Sequence, residues 1–276
     1  MKMKHFTFCA ITICALSLTA SVARANDGGI AWGGSPKLLS SHPTVAMQSE
    51  LITMTIGKEN VTVDCRFVFK NYGRATTVRM GFPDEGSGDM DVDQEADTSN
   101  SNWKTTKPRS MFTSFKSWVN GVPTKTEFVR SDTFSQNWHA KTVYFPSSST
   151  RLVRDLYTVP IGGQVARYGY YNQAFYTLHT GASWRGAIGR SEIVVNFPNL
   201  KDAILKPVRL QKLDDSGVKV LESKLRADKG KATVVYVAPV APTAKGRTLR
   251  FVRTNWNPTK RDDILLFFGY QKAMPQ

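Results

Sequence analysis

The chain has 276 residues, a formal charge of +15, 41% apolar residues and three cysteines. That length supports one large β domain or two smaller ones sharing an interface. The cysteine count excludes a fold stapled by several disulfides, so stability has to come from an apolar core.

In chain order, Met1-Lys2-Met3-Lys4 precedes an apolar run over residues 6–18 and then Ala23-Arg24-Ala25. A basic start, a short apolar stretch and small residues at the −3 and −1 positions predict a secretory signal peptide over residues 1–25. The run is shorter than the roughly 20 residues a membrane-spanning helix needs. Cys9 and Cys14 lie in its middle, away from where a lipoprotein would carry its acylated cysteine. Cleavage after Ala25 removes Lys2, Lys4 and Arg24, lowering the charge to +12, and leaves Cys65 as the one remaining cysteine. The expected location is exported, periplasmic or extracellular. No later apolar run approaches the length of a span, so the exported chain is expected to be soluble and without a transmembrane segment.

Residues 26–50, rich in Gly, Ser and Pro, predict an extended lead-in, with Val45 and Met47 starting a strand. Residues 51–56 form a short strand and residues 57–60 a turn. Val61, Val63, Cys65, Phe67 and Phe69 then alternate with Thr62, Asp64, Arg66, Val68 and Lys70, the period of two that puts one apolar row on one face of a strand. Asn71-Tyr72-Gly73-Arg74 supplies turn residues, and residues 77–82 return with Val78, Met80 and Phe82 on one side until Pro83 ends the ladder. The stretch predicts a β-hairpin with one wet and one dry face. Cys65, in the dry row, is expected to be a small buried hydrophobe rather than a reactive thiol.

Residues 84–97 hold seven acidic residues and no basic one. Asp89, Asp91, Asp93, Glu95 and Asp97 suggest a calcium loop, yet counting from Asp89 places Gln94 where an EF-hand needs glycine and Asn100 where it needs glutamate. A solvated acidic loop is the simpler expectation, with calcium kept as a candidate cofactor and no other cofactor indicated. Beyond it, Asn120-Gly121 is a strong hairpin signal leading to a strand near residues 127–130. Residues 138–145 and 151–159 form a pair of β runs joined by Pro146-Ser147-Ser148-Ser149. Tyr168, Tyr170, Tyr171, Phe175 and Tyr176 make the next stretch dense in aromatics. Further strands are expected over residues 193–197, 203–213, 218–221, 232–237, 247–253 and 263–268, with a turn at 214–217, and no stretch of ten residues shows a helical period. The pattern predicts an all-β fold: an antiparallel β-sandwich, two of them packed in series, with domains over residues 26–130 and 131–276.

Chemistry is weakly marked. His42, His139 and His179 are scattered, no Gly-x-Ser-x-Gly elbow occurs, and Ser183 has nothing local to activate it, so no catalytic residue is assigned. The histidines and Cys65 lack zinc-ligand spacing. Asp262 and Asp263 are adjacent, which on a strand would turn them to opposite faces. Residues 180–189 lack the lysine of a phosphate loop. Basic residues interleaved with aromatics can bind nucleic acid, but an exported protein meets little of it; anionic envelope polymers or lipid head groups, or another envelope protein, are the expected partners.

Three motifs carry a family resemblance. Met47-Gln48-Ser49-Glu50-Leu51, continued by Phe67-Val68-Phe69-Lys70-Asn71 and Gly81-Phe82-Pro83, is one. Tyr157 with Gly162 is the second. Tyr176-Thr177-Leu178-His179-Thr180-Gly181-Ala182-Ser183-Trp184-Arg185-Gly186-Ala187-Ile188-Gly189 is the third, with Ala187 where proline is usual. Together they resemble a family of secreted bacterial proteins known as a domain of unknown function. The resemblance implies an exported β-sandwich and transfers no catalytic or binding residue. The expected activity is therefore non-enzymatic, a binding or structural module at the cell envelope, with Tyr170, Tyr171, Trp184, Arg185 and Arg190 as candidate contacts. Core packing is the competing role for Trp184 and the tyrosines. A polysaccharide hydrolase with two paired carboxylates and a calcium-assisted adhesion module are the alternatives.

Overall fold

The computed structural model describes residues 30–40, 43–87, 110–130, 136–166, 169–202 and 204–272. The predicted signal peptide, His42, Tyr168 and the acidic positions 89–97 lie outside them. The first nine strands are β1 (Ile30–Gly34), β2 (Lys37–Leu38), β3 (Val45–Ile56), β4 (Asn60–Asn71), β5 (Thr76–Ser87), β6 (Ser114–Val119), β7 (Val122–Pro123), β8 (Glu127–Arg130) and β9 (Gln136–Phe145). They are followed by β10 (Thr150–Pro160), β11 (Gly162–Ala166), β12 (Gly169–Thr177), β13 (Ile188–Asn196), β14 (Lys206–Arg209), β15 (Thr233–Val237), β16 (Thr243–Lys245), β17 (Thr248–Trp256) and β18 (Ile264–Lys272). One helix, α1 (Asp215–Ala227), precedes β15.

Two sheets form a sandwich. One has ten strands, ordered β14-β15-β18-β12-β1-β5-β9-β8 with β11 and β2 attached to β12 and β5; the other has eight, ordered β16-β17-β13-β3-β4-β10-β6-β7. The mostly-β expectation holds, but the sheets are mixed rather than antiparallel, because β1 with β12, β13 with β3 and β14 with β15 run parallel. Both sheets also draw strands from either side of residue 130, so that position does not separate one sheet system from another.

The dry row of β4 is as expected: Val61, Val63, Cys65, Phe67 and Phe69 are each at most 3% exposed. Burying such a side chain contributes about 1.5–3 kcal/mol. Its partner is not. Instead of folding back on β4, β5 lies in the opposite sheet, so the turn after Asn71 is an arch between layers, and the dry row of β5 (Val78, Met80, Phe82) faces that of β4 across the core. The β9 and β10 pair behaves likewise, with residues 146–149 as a second arch. Both sequences satisfy a hairpin pattern and an arch pattern equally, since each needs only two strands with one apolar face and a turn between them.

The two arches brace each other. Asn71 is fully buried; its Nδ2 donates to Arg74 O at 2.7 Å and to Pro146 O at 3.1 Å. Its Oδ1 accepts from Gly73 N at 2.9 Å and from Thr44 Oγ1 at 2.8 Å. Ser148 N donates to Gly73 O at 3.2 Å and Asn71 N to Ser149 O at 2.9 Å.

The glycine-rich lead-in is a structural element in its own right. β1 is a central strand between β12 and β5, and a Cβ on Gly33 would lie 2.6 Å from the Phe82 ring and 2.8 Å from Tyr157. Glycine is needed there because the aromatic core presses against the backbone.

The segment expected to hold a turn at 214–217 and a strand at 218–221 is instead the start of α1. Asp214 caps it, accepting from Gly217 N at 3.0 Å. Leu221 and Leu225, four apart and fully buried, pack with Tyr171, Val235, Phe267 and Tyr270 on the outer side of the ten-stranded sheet. Asn120 and Gly121 do form the predicted hairpin turn: both have positive φ (49° and 80°) and Val119 pairs with Val122.

Candidate binding surfaces

The motifs singled out in the sequence meet inside the sandwich. Gln48 is the extra residue at a register shift in β3, which turns Glu50 inward. The Glu50 carboxylate is 1% exposed and accepts from Ser35 Oγ at 2.6 Å and Ser191 Oγ at 2.7 Å. Burial raises its pKa above the usual carboxylate range, against the smaller opposing effect of the two hydroxyls. Trp184 Nε1 donates to Pro36 O at 2.7 Å, Leu38 N donates to Ser183 Oγ at 2.8 Å, and the Thr180 hydroxyl donates to Ser35 O. These contacts fasten the lead-in to the 179–183 turn. Their role is packing.

The five candidate contacts do not make one exposed patch. Tyr171 and Trp184 are buried at 1% and 4% exposure, Tyr171 under α1 and Trp184 with its ring 4.4 Å from that of Phe69. Tyr170 is half-buried and lies over Gly163. Arg185 is exposed, its guanidinium 5.0 Å from the Tyr72 ring. Arg190 is exposed on the eight-stranded sheet and pairs with Glu192 at 2.8 Å.

Other chemistry-bearing residues are engaged structurally. Asp262 accepts from Thr259 N and its hydroxyl, both at 2.7 Å, whereas Asp263 accepts from Leu178 N at 2.7 Å and pairs with His179 Nδ1 at 2.8 Å. His139 Nε2 lies 2.9 Å from Asp84 Oδ2, which also accepts from Ser110 Oγ at 2.5 Å. Ser110 Oγ also lies 3.4 Å from His139 Nε2, so one ring nitrogen faces both the hydroxyl and the carboxylate, whereas a nucleophile, base and orienting acid use the two ring nitrogens separately. Burial pushes the Cys65 thiol well up, which keeps it unreactive. Among the described residues no group of three or more His, Cys, Asp or Glu could hold a metal. No described helix is long and apolar enough to cross a membrane.

Sequence reasoning missed two surfaces. The first is the outer face of the eight-stranded sheet. Strand pairing aligns Glu192, Leu51, Arg66, Arg154 and Trp118 in one cross-strand row over five strands. Asp64 is shared by Arg66 at 3.0 Å and Arg154 at 2.8 Å, and Glu192 by Arg190 at 2.8 Å and Arg250 at 2.7 Å. Arg154 also stacks 4.9 Å from the Trp118 ring. Partial burial raises the Asp64 carboxyl, but Arg154 and then Arg66 outweigh it and hold it below the usual range. The Arg250 and Arg190 bonds lower Glu192. The guanidiniums remain between 42% and 61% exposed. The signal was present as Asp64-x-Arg66 and Arg190-x-Glu192 at same-face spacing, but which strands would lie side by side was not.

The second is a cleft of about 340 Å³ at one end of the sandwich. It lies where the β3–β4 turn, the segment after β13, the turn after α1 and an irregularity in β18 converge.

The fold matches known structures. A Legionella pneumophila protein whose name carries a provisional nutrient-binding assignment superposes with a TM-score of 0.59 at 18% identity, over 88% of this chain and 71% of that one. An M1 zinc metallopeptidase from Deinococcus radiodurans gives a TM-score of 0.35 at 10% identity, over 82% of this chain and 43% of its own. Leukotriene A4 hydrolase from Saccharomyces cerevisiae gives 0.38 at 7%, over 84% and 30%. The chain thus spans less than half of either enzyme, and at 18% identity the likeness to the Legionella protein is one of fold. No curated protein matches by sequence. Residues 25–144, which hold the first of the three motifs, match the model described as a domain of unknown function, DUF4424, in keeping with the resemblance to a family of unknown function.

Proposed function

We propose that the protein is an exported, non-enzymatic binding module of the bacterial cell envelope, and that it docks an anionic envelope polymer on the arginine-bearing face of the eight-stranded sheet. The observation that carries this reading is the sharing of each carboxylate by two arginines. Each cluster keeps a net positive charge while its arginines are fixed by hydrogen bonds. Neighbouring strands stand about 4.8 Å apart, so Arg66 and Arg154 lie side by side on adjacent strands, and β3 separates them from the Arg190 and Arg250 cluster; two cationic clusters on one face suit a polymer with repeating anionic groups. Arginine forks recognise carboxylate and phosphate oxygens with two bonds, and losing less side-chain freedom on binding favours arginines already held in place. The charge of +12 expected after signal cleavage draws such a polymer in at low salt. A fold shared with a protein named for nutrient binding is loosely in keeping with a binding role.

The test is retention of the purified protein on immobilised dextran sulfate and on isolated envelope polymer across a salt gradient. Wild type should be held at low salt and released by moderate salt, and R66Q/R154Q should elute at lower salt. Absence of retention at low salt overturns the reading, and turnover of any cell-wall glycan overturns its non-enzymatic part.

A further inference from the structure

The cleft at the end of the sandwich is chemically one-sided. Its lining includes Lys58, Lys201 and Lys229, the carboxamides Asn172, Asn199 and Gln271, and no carboxylate. Among the described residues none of the three lysines makes an ion pair. The nearest acid in sequence to Lys229 is Asp228, whose carboxylate is taken up by Gly230 N at 3.0 Å, Ala232 N at 3.1 Å and Thr233 N at 2.6 Å. Phe197 and Phe268, both buried and 5.3 Å apart edge to face, give the cleft an apolar wall.

The shape of the cleft is set by backbone that ordinary side chains do not favour. Opposite Tyr171, β18 carries two residues, because Tyr170 pairs with Gln271 and Asn172 with Phe268. Gly269, one of that extra pair, has φ +66°, and a Cβ there would lie 2.8 Å from Asn172 Nδ2. Packed against that backbone, Gly230 has φ +66°, and a Cβ there would meet Tyr270 N at 2.4 Å. Lys229 itself holds φ 55°, a left-handed conformation that residues other than glycine seldom adopt. Bulges and such backbone positions gather where a fold shapes a site.

We propose that this cleft binds a small solute bearing an anionic oxygen head group, a phosphate or a carboxylate, with the lysines as point charges, the carboxamides as donors and the phenylalanine wall against the solute's apolar part. The volume fits a small molecule. Ammonium groups with no carboxylate facing them keep their full attraction for an oxyanion, and three of them favour a multiply charged head group over a singly charged one. The site is separate from the polymer-docking face, and the two readings stand or fall independently.

The experiment is calorimetric titration with inorganic phosphate, glucose 6-phosphate and citrate, with glucose as the uncharged control. At least one anion should bind saturably while glucose does not. The K58Q/K229Q double variant should weaken that binding at least tenfold with an unchanged melting temperature in the absence of ligand, and R66Q/R154Q should leave it unchanged. Retention of K58Q/K229Q on dextran sulfate should match that of wild type. If none of the three anions binds, or if the lysine variant binds as tightly as wild type, the proposal fails. Should K58Q/K229Q unfold, K201Q alone must weaken binding, or the proposal fails likewise.

Discussion

Lys141 and Asp155 form an ion pair inside the sandwich, with Nζ 2.5 and 2.7 Å from the two carboxylate oxygens and neither side chain exposed. Lys141 comes from β9 and Asp155 from β10, so the pair ties the two sheets together across the arch that joins these strands. Ser117 Oγ accepts a third bond from Nζ at 2.9 Å. Removing one partner strands an uncompensated charge in the core, which costs about 3–5 kcal/mol. Lys141→Met and Asp155→Leu are each expected to lose that much in urea unfolding. The double variant should recover most of it, because the desolvation penalty then disappears with the charges. If the double variant is as unstable as the sum of the singles, the pair is not coupled as its geometry states.

Asn71 is where two chain reversals share one side chain. It satisfies two carbonyls, one amide and one hydroxyl, and it is wholly buried. A net contribution of about 0.5–1.5 kcal/mol per bond, with part of the orphaned backbone able to reach water, gives an expected loss of about 2–3 kcal/mol for Asn71→Ala. Asn71→Asp should be at least as damaging, since it turns the donor that serves Arg74 O and Pro146 O into an acceptor. Chemical denaturation measures both, and a loss below about 0.5 kcal/mol for Asn71→Ala would show that the arches hold without it.

Glu50 sets a pH dependence whose sign follows from its burial. Its folded carboxyl holds a proton to higher pH than the ordinary value of 4.5. The folded state therefore binds the proton more tightly than the unfolded chain. The stabilisation from that proton is complete below the ordinary value and is lost as pH rises through the folded one. Glu50→Gln removes the titration while keeping an acceptor for one serine. Its stability relative to wild type should rise from pH 4.5 toward pH 8, read from urea midpoints at each pH. Parallel stability curves for the two proteins would count against a carboxyl whose pKa burial has raised.

Much of the strand content was legible, because alternation reports a strand with one buried face whichever partner it finds. Partner choice was not. The arches after Asn71 and Phe145 carry the same turn residues a hairpin would, and only the depth of the second sheet decides between them. Helix α1 was hidden by its short apolar stripe: Leu221 and Leu225 are its two fully buried apolar side chains, and Val220, 44% exposed, blurs the period. The Asp214 cap was a readable start signal that the turn reading absorbed. The arginine clusters were half visible for a different reason. Asp64-x-Arg66 and Arg190-x-Glu192 stand in the sequence, but Arg154 and Arg250 join them only through the strand order.

Trp184 separates the packing role of its motif from a binding role. The ring is 4% exposed against Phe69, and its Nε1 bond to Pro36 O holds the lead-in against the 179–183 turn. Trp184→Phe keeps an aromatic face but deletes the donor and leaves unfilled volume, with an expected loss of about 2–3 kcal/mol. Trp184→Ala should lose about 3–5 kcal/mol. Arg185→Ala, at an exposed neighbour, should stay within about 0.5 kcal/mol of wild type. None of the three removes a guanidinium from the row on the eight-stranded sheet. Under conditions where Trp184→Phe is still folded, its retention on dextran sulfate should therefore match wild type. A Trp184→Phe protein that melts like wild type but binds polymer more weakly would move this tryptophan from the core to the contact surface, and the buried geometry described for it would be wrong.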